Sequence, residues 1–156
     1  MYQWFVVLHL AGLVLFALCH GVSMFVAFRI RGRRDRSLVR ELLDLSQRAN
    51  QVAYIGLLLL IVGGIGASLE AGWLSSTWVV ATTVTLIVVI VAMYAIGAGY
   101  YYPLRKQLGE PGAGGDPTLD GDRLAAALES RRPDLLAAVG LGGLLLMIGL
   151  MVLKPA

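Results

Sequence analysis

Residues 71–104 read AGWLSSTWVVATTVTLIVVIVAMYAIGAGYYYPL, a stretch of 34 residues without one Asp, Glu, Lys or Arg. An α-helix rises about 1.5 Å per residue, so crossing about 30 Å of hydrocarbon takes roughly 20 residues. This stretch is long enough to span a bilayer and to hold a short turn before the span. Three further uncharged blocks flank it, at residues 1–28, 49–69 and 135–153, and all 23 charges of the 156-residue chain fall in the remaining positions. Only 15% of the residues are charged and 58% are hydrophobic, against about 25% charged in soluble domains. A water-soluble globule is excluded. In hydrocarbon, backbone N–H and C=O groups must be satisfied within the segment itself, which selects helices here. The expected fold is all-α: one transmembrane domain over residues 1–156, an integral membrane four-helix bundle. Its spans are expected at approximately 4–28, 50–69, 76–102 and 135–153, with connections at 29–49 and 103–134.

The connections set the orientation. Twelve of the thirteen basic residues lie in them: Arg29, Arg31, Arg33, Arg34, Arg36, Arg40 and Arg48 in the first, Arg105, Lys106, Arg123, Arg131 and Arg132 in the second. By the positive-inside rule both connections are cytoplasmic and both termini lie outside. The expected location is a bacterial inner membrane, crossed several times. Trp4, Trp73 and Trp78 fall at the outer boundary, and Tyr100, Tyr101 and Tyr102 at the inner one, before Pro103 is expected to end span three. The +3 net charge is then a topology signal, and no nucleic-acid partner is implied. Arg31, Arg33, Arg34 and Arg36 are candidates for lipid headgroups or a partner protein. Span one is followed by arginines instead of a cleavage site, so it is expected to be retained.

Residues 37–48 place Leu38, Leu42 and Leu45 at helical spacing opposite charge. They are expected to form a short cytoplasmic amphipathic helix that lies on the membrane or extends span two. Residues 109–115 read as a flexible glycine loop without the Lys-Ser or Lys-Thr of a phosphate cradle. One or two helical turns are expected at residues 124–129, and Pro133 in the first turn of span four. Small residues mark the faces where membrane helices approach closely: Gly12, Gly63, Gly64, Ala67, Ala95, Gly99, Gly140 and Gly143 are the candidate packing positions.

Motifs for nucleophilic catalysis, zinc or calcium binding are absent, and no carboxylate lies inside a span. That argues against an intramembrane hydrolase or a proton-coupled transporter, and no enzyme is expected. Thr82, Thr83 and Thr85, the central polar residues of span three, can bond to their own helix. Cys19 is alone and cannot form an intramolecular disulfide. His9 and His20 are the only histidines, both inside span one. Eleven residues carry a helix through three turns plus about 20° and advance it about 16 Å, so both rings leave one face at two depths. One metal cannot bind both. Depth matching offers Met147 to His9, and Met93 or Met24 to His20, and imidazole with thioether suits haem b or copper. The alternative is structural: neutral rings bonded to carbonyls or hydroxyls of adjacent spans.

The run Leu8-His9-Leu10-Ala11-Gly12, the arginine-rich first connection, the four spans and the terminal Val152-Leu153-Lys154-Pro155 resemble a family of small predicted integral membrane proteins of uncharacterised function. That family in turn resembles the membrane domain of copper-resistance protein D. The resemblance implies the four-span fold and carries over His9 and Gly12; where the copper-resistance motif continues with tryptophan and a glycine pair, this chain has Phe16, Leu18 and Cys19. The expected function is that of a non-catalytic membrane subunit, packed through small-residue faces within itself and against a larger inner-membrane complex or a second copy. A haem- or copper-binding role through His9 and His20 is the alternative.

Overall fold

A computed structural model of the chain describes residues 1–33, 35–108 and 126–155. Arg34, Arg123 and the expected loop at 109–115 lie outside the described residues. The described residues form four long helices, α1 (Tyr2–Arg29), α2 (Arg36–Glu70), α3 (Thr77–Gln107) and α4 (Arg132–Leu153). All four segments are long and apolar enough to cross a membrane, the last counted from Ala126 to Leu153. No strand occurs among the described residues.

Two boundaries differ from the sequence expectation. The amphipathic segment is not a separate short helix; of its two expected forms it takes the one that extends span two, as the first third of α2, which runs unbroken for 35 residues. Asp35 caps its start by accepting from the backbone N–H groups of Ser37 and Leu38, and no Gly or Pro interrupts the chain before Gly56. With Val39 and Leu43 fully buried, both ends of the segment are fixed and the helix has no reason to break. Nor does Pro103 end α3, which continues to Gln107. Proline removes one intrahelical donor, but Leu104 and Leu108 beyond it are buried in the main apolar cluster, and that anchorage holds the last turn. Pro133 does occupy the first turn of α4, and residues 126–128 form a single helical turn.

The helices pack as two antiparallel pairs, α1 with α2 and α3 with α4, joined by a narrower α1–α4 contact. The α1–α2 pair is in register over its full length: the Met1 ammonium faces Glu70 at 3.7 Å at one end, and Ser23 donates to Ser46 O and to Asn50 Oδ1 near the other. Phe5, His9, Gly12, Phe16, Ser23, Val26 and Ile30 follow steps of four and three, with one full seven-residue repeat from Phe16 to Ser23, the repeat of a supercoiled seam.

The apolar core lies at the arginine-rich end. Val26, Ala27 and Ile30 from α1, Val39 and Leu43 from α2, Tyr100 and Leu104 from α3, with Leu108 and Leu128, form one buried cluster. Elsewhere the helices present Leu, Ile and Val outward. Helices long and apolar enough to cross a membrane would gain little in hydrocarbon from burying apolar side chains against one another, and close backbone packing takes that role there. At the opposite end Tyr2, Trp73, Trp78 and Lys154 meet, the Lys154 ammonium lying 4.4 Å from the Trp73 ring centroid and 5.6 Å from that of Trp78. This cation–π contact ties the end of α4 to the α2–α3 turn.

Candidate functional site

The seam between α1 and α2 is built on glycine. A Cβ on Gly12 would overlap the backbone of Leu60, one on Gly56 would sit 2.7 Å from Phe16 N, and one on Gly63 would overlap the backbone of His9. Backbone cannot rotate away, so glycine is required at all three. Gly66 faces the Phe5 ring. The small-residue reading of the sequence reached Gly12, Gly63 and Gly66 but not Gly56, because the step of seven from Gly56 to Gly63 emerges only once α1 is laid alongside. Ala67 is half-buried in the same helix. On the second pair, Gly143 is buried against Val89 and Gly99 lies under the Arg132 guanidinium. Ala95 is exposed: a small pair four residues apart marks a close contact only where a neighbour lies on that face, and α4 lies on another.

His9 belongs to this seam. Its ring lies over Gly64, where a Cβ would come within 3.0 Å of Nδ1, and Nδ1 is 2.7 Å from Leu60 O on α2. A carbonyl only accepts, so Nδ1 carries the proton and donates; Nε2 is left with the lone pair. His20 has different surroundings. It stacks on Phe16 with ring centroids 5.8 Å apart and planes 3° from parallel, and its Nε2 faces Gly140 of α4, 2.7 Å from where a Cβ would stand. The two rings therefore face different helices, although the 3.6-residue helix placed them on one face. Around a seam with a 3.5-residue repeat, eleven residues overshoot by about 50°, enough to turn His20 from α2 toward α4.

Met24, Met93 and Met147 are all half-buried. Among the described residues neither histidine hydrogen-bonds to a methionine sulfur; the contacts of His9 are with α2. Met93 stands on α3, whose main packing partner is α4 and not α1. No group of three or more His, Cys, Asp or Glu side chains suited to a metal ion occurs among the described residues. Thr82, Thr83 and Thr85 bond to the carbonyls of Trp78, Val79 and Ala81 at 2.7, 2.9 and 2.8 Å, so their hydroxyls are satisfied by their own helix. An open apolar groove of about 520 Å³ runs along Val7, Leu10, Val14 and Leu18 on α1 and carries no polar group to fix a ligand.

The arginine-rich end is the most polar part of the molecule. Arg31 pairs with Asp134 at 2.9 Å and reaches Ser130 O at 3.4 Å, joining α1 to α4. Arg105 bonds to Leu43 O at 3.0 Å and lies 3.8 Å from Asp44, joining α3 to α2. Arg40 donates to Leu108 O. Arg31 Nε, Tyr100 Oη and Gln107 Oε1 are buried without a hydrogen-bond partner. Arg31, one of the arginines considered for lipid headgroups or a partner protein, bridges α1 to the start of α4. Asp134 was legible only as a boundary charge, since a partner 103 residues away leaves no local trace.

Comparison of the chain with protein-family models, with curated proteins and with solved structures finds no match.

Proposed function

We propose that this chain is a non-catalytic integral membrane subunit that docks against a larger inner-membrane complex through the outward face of α4. One observation carries the reading. Gly142 and Gly149 have nothing within 4 Å of where a Cβ would stand, and with Ala138 they lie on one stripe of the helix, at steps of four and seven residues. Gly12, Gly56, Gly63 and Gly143 are already used inside the chain, while Gly21 on α1 and Gly97 on α3 are open but stand singly on their helices. Small residues on a lipid-facing stripe weaken a helix without internal gain, and close approach by another helix is what offsets that cost. The orientation that accompanies this reading puts the arginine-rich end in the cytoplasm.

The test is gentle solubilisation from native membranes followed by size separation. The expected result is an assembly larger than the monomer that Gly142→Ile and Gly149→Ile disrupt without altering helix content. A single monomeric species overturns the reading, and the same assembly surviving both substitutions moves the interface off α4.

A second reading keeps one observation in its favour. Nδ1–H fixed on a backbone carbonyl is how metal-ligating histidines are commonly oriented, with Nε2 left to bind, and His9 has that arrangement toward Leu60. Haem or copper held by His9 would appear in an oxidised-minus-reduced spectrum or a metal analysis and disappear in His9→Ala. A colourless, metal-free preparation removes it.

A further inference from the structure

Positive charge at the arginine-rich end is unequally available. Arg31 is paired with Asp134, Arg105 and Arg40 donate to the carbonyls of Leu43 and Leu108, and Arg36 also has a partner. Arg132 differs. Its Nη1 lies in the notch left by the missing side chain of Gly99 on α3, where any Cβ would overlap it. Gly99 is also the residue whose carbonyl loses its helical donor, because Pro103 stands four positions on.

Among the described residues the Arg132 guanidinium has neither a carboxylate partner nor a side-chain hydrogen bond; only its backbone N–H is engaged, by Ser130 Oγ. Asp134 stands two residues away, but its carboxylate is held by Arg31. Arg131 and Lys106 are exposed and add to the positive field. The notch also has a definite depth. Gly99 directly precedes the Tyr100–Tyr101–Tyr102 run, and tyrosines of membrane helices concentrate at the headgroup level.

We propose that Arg132, seated against Gly99 between α3 and α4, binds the phosphate group of an anionic lipid headgroup. A guanidinium offers two parallel N–H donors to one phosphate, a geometry that a mobile surface lysine cannot reproduce. The site requires that this end lie at a membrane surface; it does not require a partner complex, so the docking interface on α4 can fail without affecting it.

The experiment uses the purified full chain in neutral detergent and measures thermal unfolding as phosphatidylglycerol or phosphatidylcholine is added. Phosphatidylglycerol is expected to raise the midpoint more than phosphatidylcholine for the parent chain and for Arg33→Gln, which removes an equal charge elsewhere. Arg132→Gln should raise the half-saturating phosphatidylglycerol concentration about tenfold, the loss expected of one charge-assisted contact. Gly99→Ala leaves every charge in place but fills the notch, and should reproduce most of that loss. Equal weakening by Arg33→Gln and Arg132→Gln overturns the site, as does a Gly99→Ala chain that behaves as the parent. Inorganic phosphate serves as the last arm: no shift identifies the lipid as the source of the phosphate group, and a shift matching that of phosphatidylglycerol overturns the lipid assignment.

Discussion

His9 bonds across the seam to Leu60 O, whereas His20 Nε2 faces Gly140 of α4. A side-chain hydrogen bond between membrane helices contributes about 0.6 kcal/mol on average and up to about 1.7. His9→Leu should therefore lower stability by about 0.5–1.5 kcal/mol, measured by reversible unfolding in mixed micelles, and Gly64→Leu should act similarly by expelling the ring. Asp35 makes a prediction about pH. The Ser37 hydroxyl, with the backbone N–H groups of Leu38 and Ser37, holds its carboxyl below the ordinary value of 3.8. The group binds fewer protons folded than unfolded, so its contribution to the start of α2 is complete above pH 3.8 and is lost as pH falls through the lowered value. The amide resonances of Ser37 and Leu38 should titrate with a midpoint below 3.8, and Asp35→Ala should abolish that titration. The histidines were legible in the sequence as intramembrane polar groups; their partners were not, because a backbone carbonyl on another helix leaves no sequence signature.

At the scale of elements, the α1–α2 seam depends on backbone contact. A methyl group at Gly56 or Gly63 meets the main chain of α1, so Gly56→Ala and Gly63→Ala should each destabilise by about 1–3 kcal/mol, as overpacking does. Gly21→Ala, which meets nothing within 4 Å, should be neutral or slightly stabilising. The same unfolding experiment separates the two outcomes. The continuity of α2 is testable by hydrogen exchange: backbone amides of residues 46–51 should be as protected as those of the span that follows, whereas a hinge there would exchange quickly. Four long apolar runs made the helices readable, because uninterrupted runs of this length suit a membrane helix and not the short alternating strands of a barrel. The junction at Arg48–Ala49–Asn50 was not readable, since an amphipathic stripe looks alike whether it lies on a membrane or continues a helix. Pro103 misled for a related reason: the anchorage of Leu104 and Leu108 is a tertiary fact, and it outweighs a local preference for stopping.

For the molecule as a whole, the decisive feature is where side chains are buried. Leu104 is fully buried at the arginine-rich end, and Leu145 on α4 is 68% exposed. Leu104→Ala should therefore cost about 2–5 kcal/mol, with Leu145→Ala within about 0.5 kcal/mol of the parent, both read from unfolding midpoints. The whole-chain arrangement was legible only as far as four helices; that they form two pairs tied by Arg31 to Asp134 and by Arg105 to Leu43 depends on contacts between residues 62 and 103 apart in sequence. In a bilayer, the buried cluster at the arginine-rich end and the outward-facing helix surfaces would meet different solvents. Heat capacity rises when apolar surface is hydrated and does not rise when lipid tails replace a neighbouring helix. A calorimetric trace would therefore carry the signature of a much smaller protein, that of the cluster around Ile30, Leu43, Leu104 and Leu128. Chemical denaturants that act through water would loosen this end first and leave the spans to be dissolved by detergent.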